Sequence, residues 1–465
     1  MANIKFGTDG WRAVVGKDFN DENVTLVINA IGKYVLDNFG IDKKIIIGYD
    51  PRNKADYFAE LSAKILSNIG FNVVLSSNFL PTPILAFYAK NMNASAIMFT
   101  ASHNPPEYLG IKYIPDYAGP ATSDITNEIV ENIGVSVETL NAGSITKQMF
   151  FDEYVEHISS IINFDKIKNL NTNIIFDALY SAATGYFDKI LDLKNIKYDI
   201  LHNYRDVNFA GGLPEPKPKF LSELISRIKS VDNSVGFSND GDADRYGAIN
   251  ENGEYVTPNE VMCMLLIHLV KNKKMKGKYV KTVGASLMHD ILAQKLGLDI
   301  IETPVGFKHV GQAMRENDVI LAGEESGGLS IKGHIPEKDG LLANLLILEM
   351  MAYENKKLSD LQQEMHAFIG LNFINDRIDV KLDNTEKIKN ILKKFETDEE
   401  LHKKLDLKRL SLLDGVKLYL NDNRSWLLVR PSGTEPLLRI YIETDTNENM
   451  NNLKNIVNEF VKECI

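Results

Sequence analysis

Apolar residues recur at helical spacing, then condense into short runs, over roughly the first 340 residues, the alternation expected of α/β domains with mostly parallel sheets. Val24, Val27, Ile28, Ile31 and Val35 form one helical stripe, and Ile45-Ile46-Ile47 form the strand that follows it. Phe58, Leu61, Ile65 and Ile69 form the next stripe, before Val73-Val74-Leu75. The strands Ile174-Ile175-Phe176, Asp199-Ile200-Leu201 and Val235-Gly236-Phe237 suggest a second unit, and Tyr279-Val280, Ile300-Ile301 and Val319-Ile320-Leu321 a third. The units share a rhythm without a residue-level repeat. After residue 368 the texture changes to strands at 372–380, 416–420, 426–430 and 437–443, with a Lys- and Glu-rich helix near 385–395 and a closing helix, which reads as a small α+β domain. The division expected is 1–150, 151–254, 255–367 and 368–465.

Length and composition are compatible with this plan. A chain of 465 residues holds three or four domains, and 44% hydrophobic with 25% charged residues is ordinary for a soluble protein. The longest apolar stretches, Val261 to Val270 and Leu341 to Met351, are too short to span a membrane and read as buried helices. No apolar signal segment follows Met1, and Cys263 and Cys464 alone build no disulfide framework, so a cytoplasmic protein is expected. The formal charge of −11 argues against a nucleic-acid partner. Any phosphate must then be gripped locally, by arginines and glycine-rich loops.

The chemistry is concentrated in loops that follow strands, where open α/β sheets place their ligands. Asp240-Gly241-Asp242-Ala243-Asp244 directly follows a strand and brings three carboxylates together, a donor set for a hard divalent cation, Mg²⁺ or Ca²⁺. As an EF-hand, Asp240, Asp242, Asp244 and Glu251 fill positions 1, 3, 5 and 12, but Arg245 stands where the turn needs glycine and no helix precedes the loop. A solvated acidic turn is the blander alternative. Thr100-Ala101-Ser102-His103-Asn104-Pro105 is either a Ser/Asn turn or the display of a nucleophilic Ser102 assisted by His103 or a lysine. In Arg430-Pro431-Ser432-Gly433-Thr434-Glu435-Pro436, an arginine, two hydroxyls and a glycine suit a phosphate dianion, where a plain tight turn is the alternative. The acidic loop Gly323-Glu324-Glu325-Ser326-Gly327-Gly328 suits vicinal sugar hydroxyls. The loops Phe6 to Arg12 and Gly211 to Pro216 carry weaker signals.

These loops, in this order, resemble the alpha-D-phosphohexomutase superfamily, and the resemblance runs from Phe6-Gly7-Thr8 to the Arg430 loop. It implies three similar α/β domains with mixed, mostly parallel sheets plus a smaller C-terminal α+β domain around a central cleft. It further implies that Ser102 is phosphorylated and that Asp240, Asp242 and Asp244, with a phosphoserine oxygen on Ser102, hold one Mg²⁺. By the same resemblance Glu324 and Ser326 meet sugar hydroxyls, Lys308 is a further substrate contact, and Arg430, Ser432, Gly433 and Thr434 grip phosphate. Arg12, Lys112 and Arg245 supply cations beside the phosphoserine, with Lys112 the general acid/base through a pKa lowered by cationic crowding.

The implied activity interconverts hexose 1-phosphate and hexose 6-phosphate through a hexose 1,6-bisphosphate, on a monomer or homodimer whose partners are small hexose phosphates. Glucose is the expected hexose, from the likeness of Glu324-Glu325-Ser326 to the glucose-handling branch, with a phosphomannomutase or dual-specificity enzyme as the alternative. Two departures stand out: Gly328 where relatives carry histidine, leaving His334 as the next one, and Leu109 before Gly110 where asparagine is commoner. A phosphatase, or a non-catalytic sugar-phosphate or calcium-binding protein, are the rival classes.

Overall fold

The computed structural model describes residues 4–7, 10–137, 142–382, 384–431 and 437–464, with the backbone alone at Thr385. The chain divides into two compact units, Met1–Gly277 with Gly306–Gln362, and Lys278–Val305 with Gln363–Ile465. In the first unit, β1 (Trp11–Val14), β2 (Ile45–Tyr49), β3 (Val73–Ser76), β4 (Ser95–Phe99), β5 (Tyr108–Ile114) and β6 (Ile145–Gln148) form one sheet, in the order β1-β5-β4-β2-β3-β6. Its centre is parallel, while β5 returns antiparallel beside β4. Ile45, Ile46 and Ile47 are buried on both faces, as an unbroken apolar run requires. The helix Asp21–Phe39 covers this sheet with the predicted stripe, and Asn20 caps it by accepting from Asn23 N at 2.9 Å.

The second sheet, β7 (Asn173–Asp177), β8 (Tyr198–Leu201), β9 (Ser234–Asn239), β10 (Tyr246–Ile249) and β11 (Tyr255–Val256), has the order β11-β10-β9-β7-β8. Its kernel β10-β9-β7-β8 reproduces β5-β4-β2-β3 strand for strand, including the antiparallel return. Further along, β12 (Lys278–Thr282) and β13 (Ile300–Thr303) pair in parallel within the second unit, and β14 (Val319–Gly323) and β15 (Leu329–Ile331) pair antiparallel within the first. The apolar helix Gly340–Glu354 is buried over most of its length, which confirms the reading of Leu341 to Met351 as core.

The C-terminal sheet, β16 (Ile374–Lys381), β17 (Leu407–Ser411), β18 (Val416–Leu420), β19 (Trp426–Pro431) and β20 (Leu437–Thr444), is antiparallel throughout, in the order β16-β20-β19-β18-β17. The charged helix Thr385–Thr397 buries Ile388, Ile391 and Phe395 in that domain's core and leaves Lys389, Lys393 and Lys394 exposed. Three α/β segments with mixed, mostly parallel sheets are thus followed by an antiparallel domain. No helix among the described residues is long and apolar enough to cross a membrane.

At the end of β8, His202 adopts a left-handed backbone, φ 50°. Its Nδ1 lies 2.8 Å from Asp177 Oδ1 and its Nε2 3.0 Å from Glu223 Oε2. The hydrogen bond to Asp177 outweighs burial and raises the imidazole above its usual 6.5. The folded state therefore holds the proton more tightly than the unfolded one, so this stabilisation is fully present below about pH 6.5 and fades as pH rises through the folded value. Replacing His202→Asn is expected to lower the urea midpoint clearly at about pH 6 and much less at about pH 9. A deficit that grows toward pH 9 would contradict the assignment.

Candidate functional site

Ser102 lies in the connection from β4 to β5, in a left-handed conformation, φ 51°. Its N–H donates to Thr100 Oγ1 at 2.8 Å, and its hydroxyl donates to Asp240 Oδ2 at 2.7 Å. His103 Nδ1 stands 3.2 Å from the same hydroxyl. Burial, then Arg245 and Arg12, lower the His103 pKa to about 2, so its imidazole stays neutral. On β1, opposite Gly110 of β5, Arg12 donates from Nη1 to Asn104 Oδ1 at 2.5 Å.

The carboxylate loop occupies the corresponding connection, from β9 to β10. Asp240, Asp242 and Asp244 are fully buried, and each offers an oxygen within 4.8 Å of the others. Burial, then Asp244 and Asp242, push Asp240 well above the usual carboxylate range. Lys112, on β5, reaches Asp242 at 2.8 Å and Asp244 at 3.1 Å, and Lys338 reaches Asp244 at 3.0 Å. Thr82 Oγ1 donates to Asp242 Oδ2 at 2.7 Å. Burial works to lower the Arg245 pKa, but Asp240, Asp244 and Glu324 carry it above its usual value.

The connection from β14 to β15 brings the acidic loop to the same place. Tyr246 N donates to Gly327 O at 3.1 Å, and Gly340 N to Ala243 O at 3.2 Å. Glu324 is buried and accepts from Gly306 N at 2.9 Å, and burial raises its pKa. Ser326, by contrast, is exposed. Lys308 turns to the first α/β segment, donating to Ser123 Oγ at 3.0 Å. His334 is engaged at both ring nitrogens, by His157 at 3.0 Å and Asp339 at 2.9 Å. In the second unit, Arg430 of β19 places Nη2 3.0 Å from Asp414 Oδ2, whereas Ser432, Gly433 and Thr434 lie outside the described residues.

Three strand-end loops thus converge on a serine hydroxyl, a carboxylate trio and buried lysines. Family models for phosphoglucomutase/phosphomannomutase match the chain in register: alpha/beta/alpha domain I at 3–137, domain II at 152–253, domain III at 257–368 and the C-terminal domain at 378–460. The chain belongs to the phosphoglucomutase/phosphomannomutase family. It is a mutase of the alpha-D-phosphohexomutase superfamily, an isomerase that acts by phosphoryl transfer. The phosphoglucosamine mutase of Methanocaldococcus jannaschii is 31% identical over 433 residues, covering 91% of this chain and 92% of that one. That of Methanococcus vannielii is 30% identical over 466 residues, covering 97% and 98%. A crystal structure from Thermus thermophilus, described provisionally as a phosphomannomutase, superposes with a TM-score of 0.87 at 29% identity, covering 99% of each chain.

Within this phosphohexomutase the trio fits a metal ion on physical grounds. Three buried carboxylates at such spacing repel one another, and Asp242 Oδ1 is buried with no hydrogen-bond partner among the described residues. The incoming helix of an EF-hand is absent, since β9 leads directly into the loop. Lys112 bonds two carboxylates, and Lys338 meets Asp244 at the oxygen that Lys112 also reaches. Lys338 was missed by the sequence reading, its only signal being the Pro336-Glu337-Lys338-Asp339-Gly340 run before a long apolar helix. Thr82, at the start of the helix Thr82–Asn91, gave none.

Two outcomes are expected. A Cβ on Gly241 would stand 2.2 Å from Ser102 O, so Gly241→Ala has to part the two loops. It is expected to cost about 1–3 kcal/mol in urea denaturation and at least about tenfold in turnover. Calorimetric titration with Mg²⁺ should show Asp242→Asn binding at least about tenfold more weakly than wild type. Equal affinities would remove Asp242 from the metal site.

Proposed function

We propose that this mutase interconverts the 6- and 1-phosphates of glucosamine, with Ser102 as the phosphate carrier and a 1,6-bisphosphate as intermediate. The observation that carries the reading is the Ser102 hydroxyl 2.7 Å from Asp240, within a buried carboxylate trio flanked by Lys112 and Lys338. A phosphoserine there carries nearly two negative charges, which must be offset before a sugar hydroxyl can approach. Asp240, Asp242 and Asp244 would hold Mg²⁺, which supplies that offset when bound. Lys338, Arg245 and Arg12 add fixed positive charge from the protein.

In the first transfer the phosphorus–Oγ bond to Ser102 breaks as a bond to the free sugar hydroxyl forms, the hydroxyl proton passes to a protein base, and the leaving Ser102 Oγ takes up a proton to regain its hydroxyl. Lys112 is the proposed acid/base. Neutral His103 serves as a hydrogen-bond partner of Ser102 Oγ, since an imidazole with so low a pKa is a weak base. The bisphosphate then turns end for end and returns its other phosphate to Ser102. Glu324 and Ser326 are the proposed hydroxyl contacts and Lys308 a further one. Arg430, Ser432, Gly433 and Thr434 are assigned to phosphate by family resemblance alone. The four-domain division at 1–150, 151–254, 255–367 and 368–465 is part of the same reading.

Glucosamine takes precedence over the glucose expected from Glu324-Glu325-Ser326 because relatives about 30% identical along nearly the whole chain are named phosphoglucosamine mutases. The test compares glucosamine, glucose and mannose phosphates in coupled assays with Mg²⁺ and a trace of bisphosphate, on wild type and Ser102→Ala. Glucosamine phosphate should give the highest kcat/KM, and Ser102→Ala should lose on the order of 10³-fold or more in kcat. Release of inorganic phosphate in place of the isomer would point to a phosphatase, and a higher kcat/KM for glucose or mannose would reassign the substrate.

A further inference from the structure

Directly behind Ser102 lies a guanidinium without solvent exposure. Arg52 is 0% exposed and follows β2, one strand away from the serine loop. Its Nη2 donates to Ser102 O and to Asn104 O, both at 2.6 Å. Its Nη1 donates to Pro105 O at 2.8 Å and to Tyr108 O at 3.2 Å. Four carbonyls of one turn therefore aim at one side chain. Without a cation between them, four carbonyl dipoles converging on a point would repel, and of the four Pro105 O also accepts from Tyr108 N at 3.1 Å.

The same turn carries backbone strain. Ser102, at φ 51°, sits in the left-handed region that side chains other than glycine rarely adopt, so its conformation persists only if its surroundings hold it. Asp50 completes the frame. Its Oδ2 accepts from Thr100 Oγ1 at 2.6 Å and lies 3.2 Å from Arg52 Nε, and Thr100 in turn receives the Ser102 N–H. The two sides of the Ser102 peptide are thereby pinned, the N–H through Thr100 and the carbonyl through Arg52.

A loop of the second α/β segment secures Arg52 in turn. Phe209 lies with its ring centroid 5.0 Å from the guanidinium carbon, and Arg205 donates to Arg52 O at 3.2 Å and Pro51 O at 2.9 Å. Phe209 is itself left-handed, φ 49°, and 4% exposed. We propose that Arg52, backed by Phe209, is a positioning residue for phosphoryl transfer, fixing the strained turn that holds the Ser102 hydroxyl against Asp240. This rests on the reading of Ser102 as the phosphate carrier. Lysine cannot replace the planar fork that serves four acceptors at once.

The test is Arg52→Lys and Phe209→Leu, with Ser102→Ala alongside, each measured for kcat, KM, thermal midpoint and the ³¹P resonance of phosphorylated Ser102. Arg52→Lys is expected to lose about 100-fold in kcat with KM within about threefold, and to shift or broaden the ³¹P line. Phe209→Leu is expected to lose about fivefold in kcat in the same pattern. Wild-type kcat and ³¹P line in a folded Arg52→Lys would overturn the proposal, as would a loss confined to KM. If Arg52→Lys does not fold, Phe209→Leu decides, and an unchanged kcat there overturns it. Full activity in Ser102→Ala would instead remove the carrier reading, while an inactive Ser102→Ala beside an unimpaired Arg52→Lys would remove only the positioning role.

Discussion

One peptide group carries the architecture of the candidate site. The Ser102 carbonyl is held by Arg52 on one side and approached by Gly241 on the other, so closely that no side chain fits there. Its position sets where the hydroxyl stands, and the hydroxyl meets Asp240 at 2.7 Å. A hydrogen bond to a carboxylate contributes about 1.5–3 kcal/mol, too little to impose a loop geometry alone. The geometry comes from packing and from backbone groups that must be satisfied, and the hydroxyl contact is its product. Glycine at 241 is required by this approach; the alanine at 243 takes its left-handed turn, φ 58°, where the backbone curls to bring the third carboxylate back.

The site draws three times on the same topological position. Ser102, the aspartate trio and Glu324 each lie in the connection from a strand to its antiparallel return: β4 to β5, β9 to β10, and β14 to β15. A parallel sheet ends at its carboxyl edge in loops that are free to carry chemistry. An antiparallel return makes such a loop short and anchors both of its ends, so the functional groups sit on braced turns. Arg430 leads into the same kind of connection in the C-terminal sheet, between β19 and β20.

Legibility in the sequence followed the same division. Buried parallel strands such as Ile45-Ile46-Ile47 and Val235-Gly236-Phe237 announce themselves as apolar runs, and the loops after them contain the unusual residues. The return strands do not announce themselves. Tyr108–Ile114 carries Gly110 and Lys112 among its apolar residues, and Lys112 belongs there because the strand delivers its ammonium to two carboxylates more than a hundred positions away. Arg52, Thr82 and Lys338 are ordinary polar residues in the one-dimensional record, and only the fold gives them partners. The hexose was the least legible feature, because glucose, mannose and glucosamine differ at C2 alone and no motif in the chain names that position.

Charge explains why the three segments depend on one another. The trio places three carboxylates out of water in a chain that is already acidic, and burying such charges unpaired costs several kcal/mol each. The offsetting cations come from different stretches of sequence: Lys112 from the first, Arg245 from the second and Lys338 from the third. Within the trio, Asp244 is met by cations from all three. No single segment folded by itself could neutralise its share, since the second holds the carboxylates and the other two hold the lysines. The charge balance of the site is therefore a property of the assembled unit, and the same balance leaves the buried Asp242 Oδ1 without a hydrogen-bond donor among the described residues.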